Sequence, residues 1–143
     1  MLRITIPADE RWDEAKQEFI YTKEQTLQLE HSLVSISKWE SKWCKAFLSE
    51  RTKTSEEVID YVRCMTLTQN VDPAVYSRLT DENFAAINEY IDAPMTATYI
   101  YSDVNSKFNR ERVTSELIYY FMIACNIPFE CQKWHLNRLL TLI

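Results

Sequence analysis

The chain has 143 residues, of which 46% are hydrophobic and 26% are charged, and its net charge is −5. These values are ordinary for one soluble globular domain with a sizeable core, and they argue against a disordered chain. The sequence has no run of eighteen apolar residues and no charged-then-apolar start. We therefore expect neither a membrane-spanning segment nor secretion.

Glycine is absent from the sequence, although a chain of this length contains about ten at average usage. Phosphate-cradling loops, dinucleotide-binding turns and nucleophile elbows all need glycine, because their backbone approaches a ligand closely or takes a positive φ. The composition therefore excludes these sites in their standard form. Turns must use asparagine, aspartate and proline instead, and we expect them at Asn70, Asp72-Pro73, Asn105 and Asn126.

The first thirty residues predict a small antiparallel sheet. Met1–Ile6 alternates apolar and polar side chains as a half-buried strand does, and Pro7 ends it. Glu18–Thr22 and Thr26–Glu30 are further strand candidates, whereas the charged stretch 9–18 predicts a loop or a short helical turn. Two or three strands are marginally stable alone, so this sheet must pack on helices.

From His31 the apolar residues recur at three and four positions, which predicts a helix to about Leu48 with Trp39 and Trp43 on its apolar side. A second helix begins at a capping box. The Thr54 hydroxyl accepts from a backbone amide there, Glu57 reaches back to another, and the helix ends near residue 66.

Asp72-Pro73 begins a short helix, and Thr80 caps a longer one that ends at about Asp92. Pro94 interrupts the helical pattern. The sequence from Thr98 to Tyr101 predicts a short strand or an extended crossing, and residues 103–109 predict a loop.

Leu117–Cys125 contains nine residues without a charge, which predicts a helix buried on all sides at the centre of the fold. Thr114 or Ser115 caps its start, and Asn126–Pro128 stops it. A last helix, Phe129–Ile143, is expected to fold back on it. Its apolar end is unusual for a chain terminus, so we expect it to be buried or the natural chain to run further.

Together these elements predict an α+β fold, mainly α, in which a small N-terminal antiparallel sheet packs on a bundle of about five or six helices. We expect one domain over residues 1–143, with a β-rich part at 1–30 and a helical part at 31–143.

Few residues point to catalysis or to a cofactor. Cys125, Cys131 and His135 are the nearest approach to a metal cluster, but no paired Cys or His motif reinforces them. A Cys–His nucleophilic pair would need an oxyanion hole that a chain without glycine builds poorly. The four cysteines show no disulfide pattern and are expected to be reduced thiols. We therefore expect no metal, no cofactor and no enzyme.

The Asn126–Pro128 turn between two helices also permits a helix-turn-helix hypothesis. Gln132, Lys133, Asn137 and Arg138 would then face the nucleic acid. The sequence pI near 5.1 opposes this hypothesis, because an acidic chain repels phosphates. DNA binding therefore stays an alternative, and the expectation is no nucleic-acid partner.

Charge is distributed unevenly along the chain. Residues 31–53 carry five basic and two acidic side chains, whereas residues 54–103 carry two basic and nine acidic ones. Either these are solvated helix faces, or they form a polar surface that is complementary between copies, as in a homo-oligomer.

Two segments, Leu29–Trp43 (LEHSLVSISKWESKW) and Trp134–Ile143 (WHLNRLLTLI), resemble small proteins encoded among the tail genes of tailed bacteriophages. The best match is the tail assembly chaperones. The resemblance implies that the chain binds the long helical tape measure protein, or another phage tail protein, in the host cytoplasm. It would keep that protein soluble until the tail tube forms, be absent from the virion, and in many relatives have a longer frameshifted form. The alternative is a structural virion component of the neck, tail or baseplate.

A chaperone of helices needs an apolar groove lined by adaptable side chains. Aromatic and aliphatic residues of the two segments are the candidates for partner binding, although most of them are expected to be ordinary core. The candidates are Trp39, Trp43, Trp134, Leu139, Leu142 and Ile143.

Overall fold

The structure is a computed structural model, and it describes residues 1–49, 52–98 and 113–143. In chain order these ranges contain strands β1 (Leu2–Ile6), β2 (Asp9–Asp13), β3 (Glu18–Thr22) and β4 (Gln25–Leu29), helices α1 (Leu33–Trp43) and α2 (Ser55–Met65), a 3-10 helix (Pro73–Arg78), helices α3 (Asp81–Asp92) and α4 (Ser115–Ala124), a second 3-10 helix (Phe129–Lys133) and helix α5 (Leu136–Leu140). The fold is α+β and mainly α, with a small antiparallel sheet at the N-terminus, so the predicted fold class is confirmed.

The four strands form one two-stranded antiparallel ribbon that is interrupted in the middle. β1 pairs with β4, β2 pairs with β3, and the numbers of opposite residues add up to 31 in both halves. Pro7 lies at the interruption, where its missing amide hydrogen removes a bond from the ladder. Three strands were predicted, but β2 was predicted as a loop or helical turn. That prediction was wrong because an exposed strand needs no apolar face.

The half of the ribbon formed by β1 and β4 packs on the helices. Its inward side chains are buried: Ile4, Ile6, Leu27 and Leu29. The chain that follows α2 pairs with the free edge of β4. The amide of Glu30 donates to the carbonyl of Met65 at 3.0 Å, and the amide of Leu67 donates to the carbonyl of Gln28 at 2.7 Å. The ribbon and α2 are thus joined by backbone hydrogen bonds as well as by packing.

Helix α1 is shorter than predicted. It ends at Trp43 rather than near Leu48, because Cys44 takes a left-handed conformation (φ 54°) and its amide donates to the carbonyl of Glu40 at 2.8 Å. Right-handed helices often end at a residue in the left-handed conformation, and glycine is the most common residue at that position.

The capping box predicted for α2 forms only in part. The Thr54 hydroxyl accepts from the amide of Glu57, as predicted. The buried carboxylate of Glu57 accepts from Lys45 at 2.7 Å instead of reaching back to the cap. The ammonium group of Lys45, in the segment after α1, therefore fixes the orientation of this carboxylate.

The last predicted helix, Phe129–Ile143, is not continuous. The 3-10 helix ends at Lys133, and Trp134 and His135 are extended before α5 begins. An isolated β-bridge joins Ser32 to His135, and the amide of Leu136 donates to the carbonyl of His31 at 2.7 Å. Pairing with the start of α1 therefore straightens the chain where local periodicity predicted a helix.

The strand or crossing predicted at 98–101, the loop at 103–109 and the turn at Asn105 lie wholly or mostly outside the described residues. Within the described ranges, no helix combines the length and the apolar character needed to cross a bilayer.

Candidate functional site

Helix α4 is held at its first turn by a carboxylate from α1. The Thr114 hydroxyl accepts from the amide of Leu117, as its capping role predicts. One oxygen of Glu40 also accepts from the amide of Ser115 at 3.0 Å and from its hydroxyl at 2.8 Å. A negative charge at this end suits the helix dipole. The position of α4 against α1 is therefore fixed by hydrogen bonds.

Helix α4 buries only one narrow stripe of its surface. The buried residues are Ser115, Ile118 and Met122, whereas Tyr120 and Ile123 are each 62% exposed. The prediction that this segment is buried on all sides was wrong. The helix packs at the edge of the core, so only one stripe of it is buried, as in an amphipathic helix. Its exposed side nevertheless carries apolar instead of polar residues.

The exposed side of α4 continues into the segment that follows it. Phe121 and Phe129 are also exposed, and the Phe129 ring lies 6.3 Å from that of Tyr119. We call Tyr120, Phe121, Ile123 and Phe129 the α4 surface. Apolar clusters of this kind on a soluble protein usually mark interaction sites. The α4 surface was not predicted, because an uncharged run does not show which of its sides the core covers.

Trp39 and Leu139, two of the predicted partner-binding residues, lie fully inside the core. The Trp39 indole donates to the carbonyl of Glu57 at 2.9 Å. Neither side chain offers surface to a partner in this conformation, so the core interpretation applies to both.

The other predicted residues reach the surface. Trp43 is half-buried, its ring lies 6.3 Å from Trp39, and its indole donates to Asp60. Trp134 is half-buried under the guanidinium of Arg138, at 4.6 Å from the ring centre. Leu142 and Ile143 are exposed. Partner binding by these four residues stays a prediction.

An ion pair between Lys42 and Asp60 joins helices α1 and α2, and Arg63 of α2 shares the Asp60 carboxylate. Lys42 and Arg63 both contact one oxygen of Asp60, at 3.0 and 2.8 Å. Burial alone would raise the pKa of Asp60, but hydrogen bonds from Arg63, Trp43 and Lys42 outweigh it and lower the pKa below its ordinary value. Part of the charge asymmetry seen in the sequence is therefore neutralised within the chain.

Both histidines are buried, with their ring centres 5.3 Å apart. His135 Nε2 lies 2.8 Å from the carbonyl of Tyr90, while Nδ1 accepts from the amide of Asn137. A carbonyl only accepts, so Nε2 donates and the ring is neutral in this arrangement. Burial, and then the neighbouring His135, lower the pKa of His31 to about 4. These contacts give the pair a structural role.

The candidate metal residues do not share one helix face. Cys131 lies in the second 3-10 helix, His135 precedes α5, and Cys125 is exposed at the end of α4. Among the described residues, no three His, Cys, Asp or Glu side chains converge as metal ligands would.

The candidate helix-turn-helix contains no long second helix, because α5 has five residues. The Asn137 amide donates to the carbonyls of Ile91 and Ala93 at 3.1 and 2.8 Å. With Arg138 over the Trp134 ring and Gln132 accepting from the Tyr119 hydroxyl at 2.7 Å, three of the four predicted nucleic-acid contacts are already engaged within the chain.

A cleft of about 510 Å³ lies between the end of α1 and the start of α4. Its main carboxylate, Glu40, has both oxygens in use, since the second one accepts from the amide of Phe47 at 3.3 Å. A carboxylate held in this way supports the fold and is not free to act as a general acid or base.

The chain matches no protein-family model, no curated protein and no solved structure.

Proposed function

We propose that this chain is a non-enzymatic tail assembly chaperone, which binds the tape measure protein in the host cytoplasm and keeps it soluble. The observation that supports this best is the α4 surface. It consists of aromatic and aliphatic side chains on a helix that hydrogen bonds hold in place, and no structural role within the described core accounts for their exposure.

A helix is the partner that suits this surface. Tyr120 and Ile123 are three residues apart on the outer side of α4, and Glu116, one turn before Tyr120, is the charge next to them. Such a row packs against the apolar stripe of a second helix by the ordinary ridge-and-groove geometry. A long helical protein with a repeating apolar stripe would offer many equivalent positions.

The expected affinity of one contact is low. Full burial of such a side chain contributes about 1.5–3 kcal/mol, so the exposed parts of Tyr120, Ile123 and Phe129, which lie on one side of α4, contribute roughly 3–5 kcal/mol. A micromolar complex needs about 8 kcal/mol, and association itself costs at least about 4 kcal/mol. Binding at one position is therefore weak and reversible. This suits a chaperone that coats a long protein and is later displaced by the tail tube.

The test is co-expression with the tape measure protein encoded beside it. We expect the wild-type chain to move that protein into the soluble fraction and to co-purify with it. The double variant Tyr120→Ser/Ile123→Ser should lose both effects. Leu67→Ser is the matched control, because Leu67 is also exposed but lies outside the α4 surface.

Two results would reject the proposal. One is an insoluble tape measure protein with no complex, and the other is a double variant as effective as the wild type. If the chain instead stays in purified virions at a fixed copy number, it is a structural component.

A further inference from the structure

The ribbon extends beyond the rest of the protein, namely the helices and the β1–β4 half of the ribbon that packs on them, which we call the body. β1 and β4 contribute to the core, whereas the described side chains between Pro7 and Glu24 belong neither to the core nor to the residues packed against it. We call residues 9–22 the arm. Two isolated strands are marginally stable in water, so an arm of this kind is normally covered by something.

One face of the arm is aromatic. Trp12 lies opposite Phe19 with ring centres 4.8 Å apart, and Tyr21 follows on the same face, opposite Glu10. The three aromatic side chains are 52%, 65% and 67% exposed. In the common register this face is the continuation of the one that carries Ile4, Ile6 and Leu27. The apolar side of the ribbon thus overhangs the body.

We propose that a second copy of this chain covers the arm. The arm of each copy lies on the α4 surface of the other, and the two contacts are related by a twofold axis.

The area needed for a stable dimer favours this arrangement over a contact between two arms. Aromatic side chains bury about 150–250 Å² each, so three that are more than half exposed offer roughly 300 Å² per arm. Two arms facing each other would bury about 600 Å² in total, less than the roughly 1,000 Å² of a specific interface. Two arm-to-body contacts double this to about 1,200 Å².

Charge favours the same arrangement. Residues 9–24 carry six acidic and three basic side chains, so two adjacent arms would bring like charges together. Residues 115–143, which form α4 and the C-terminal segment, carry two acidic and two basic side chains. Lys133 and Arg138 are both exposed there. The net negative arm therefore meets a segment without net charge instead of a second negative arm.

This inference deepens the proposed function, because it gives the α4 surface a second occupant. The arm of another copy would cover the surface while no tape measure protein is bound, and the partner would compete with it. The dimer itself is measured without any partner, so the two proposals can fail separately.

The test is the mass of the purified full-length chain by analytical ultracentrifugation from 1 to 100 micromolar. We expect a concentration-dependent dimer for the wild type. The triple variant Trp12→Ser/Phe19→Ser/Tyr21→Ser and the double variant Tyr120→Ser/Ile123→Ser should each raise the dimer Kd at least about 100-fold. Leu67→Ser should leave it unchanged.

Mixing the two variants adds a second result. Each supplies the element that the other lacks, so a heterodimer would be held by one contact of about 600 Å², and its Kd should lie at least about 100-fold above that of the wild-type dimer. A mixture that dimerises as tightly as the wild type would contradict the two-contact arrangement. A wild type that is monomeric at every concentration, or a triple variant that dimerises normally, would overturn the inference. A triple variant that is monomeric and still solubilises the tape measure protein would support both proposals.

Discussion

At the scale of single residues, the two histidines join three parts of the chain. His31 contacts the Tyr61 hydroxyl of α2, and its carbonyl accepts from Leu136 in the C-terminal segment. His135 Nδ1 accepts from the amide of Asn137. Burial, and then the neighbouring His135, lower the pKa of His31, so acid acts against the junction between α1 and the C-terminal segment.

We expect the free energy of unfolding to decrease as the pH falls from about 6.5 to 4. The folded-state pKa of His31 is about 4, against 6.5 for the free side chain, so the unfolded chain binds a proton in this range that the folded chain does not. The loss is complete below about pH 4 and amounts to roughly 3 kcal/mol. Urea denaturation at pH 7, 6, 5 and 4.5 measures it.

The control for this experiment is His31→Gln, in which the decrease between pH 6.5 and 5 should be much smaller. Asp60 also loses stabilisation in acid, because its folded-state pKa lies below 3.8. That loss is confined to pH values below about 5. A wild type whose stability is level from pH 7 to 5 would contradict the expectation.

The left-handed turns show how far single residues can be predicted. Asn70 and Asn126 have positive φ angles where turns were predicted, because asparagine tolerates this conformation. Gln17, Cys44 and Met95 also have positive φ angles and were not predicted. Their side chains carry no preference for the conformation, so the surrounding structure must impose it.

At the scale of elements, helix starts are the most predictable feature. The hydroxyls of Thr54, Thr80 and Thr114 each accept from an amide three residues later, as their sequence context indicates. The break at Trp134 and His135 was not predictable, because the bonds that cause it come from residues 31 and 32. Sequence patterns predict an element correctly when residues close in sequence stabilise it. They fail where hydrogen bonds from a distant segment determine the backbone conformation.

The hold of α1 on α4 should depend on Glu40. Glu40→Ala removes three hydrogen bonds, to the Ser115 amide, the Ser115 hydroxyl and the Phe47 amide. We expect a loss of about 2–3 kcal/mol in the free energy of unfolding, because two buried amides lose a charged acceptor. Amide hydrogen exchange should accelerate most in the first turn of α4.

Glu116→Ala is the matched control for this variant. Its carboxylate lies in the same first turn but is exposed, so we expect a change below about 0.5 kcal/mol. Equal effects of the two variants would mean that general charge at the helix start, rather than the hydrogen bonds of Glu40, holds α4 in place.

At the scale of the whole molecule, the elements that pack beside an apolar side chain determine whether it is buried or exposed. The uncharged run of α4 and the aromatic residues of the arm can both be read in the sequence. Whether the core covers them cannot, because this depends on how many elements share a limited core. The predicted fold class was therefore correct while the α4 surface and the arm were missed.

The ribbon offers a test of this division into body and arm, because its two halves have the same register and different surroundings. Leu27→Ala, in the buried half, should lower the free energy of unfolding by about 2–5 kcal/mol, since it leaves a cavity in the core. Phe19→Ala, in the arm, should lower it by less than about 1 kcal/mol, because Phe19 is 65% exposed and its ring contact with Trp12 contributes little. Urea denaturation at 1 micromolar protein keeps dimerisation from contributing. If Phe19→Ala destabilises the monomer as much as Leu27→Ala does, the arm belongs to the folded body and is not available to a second copy.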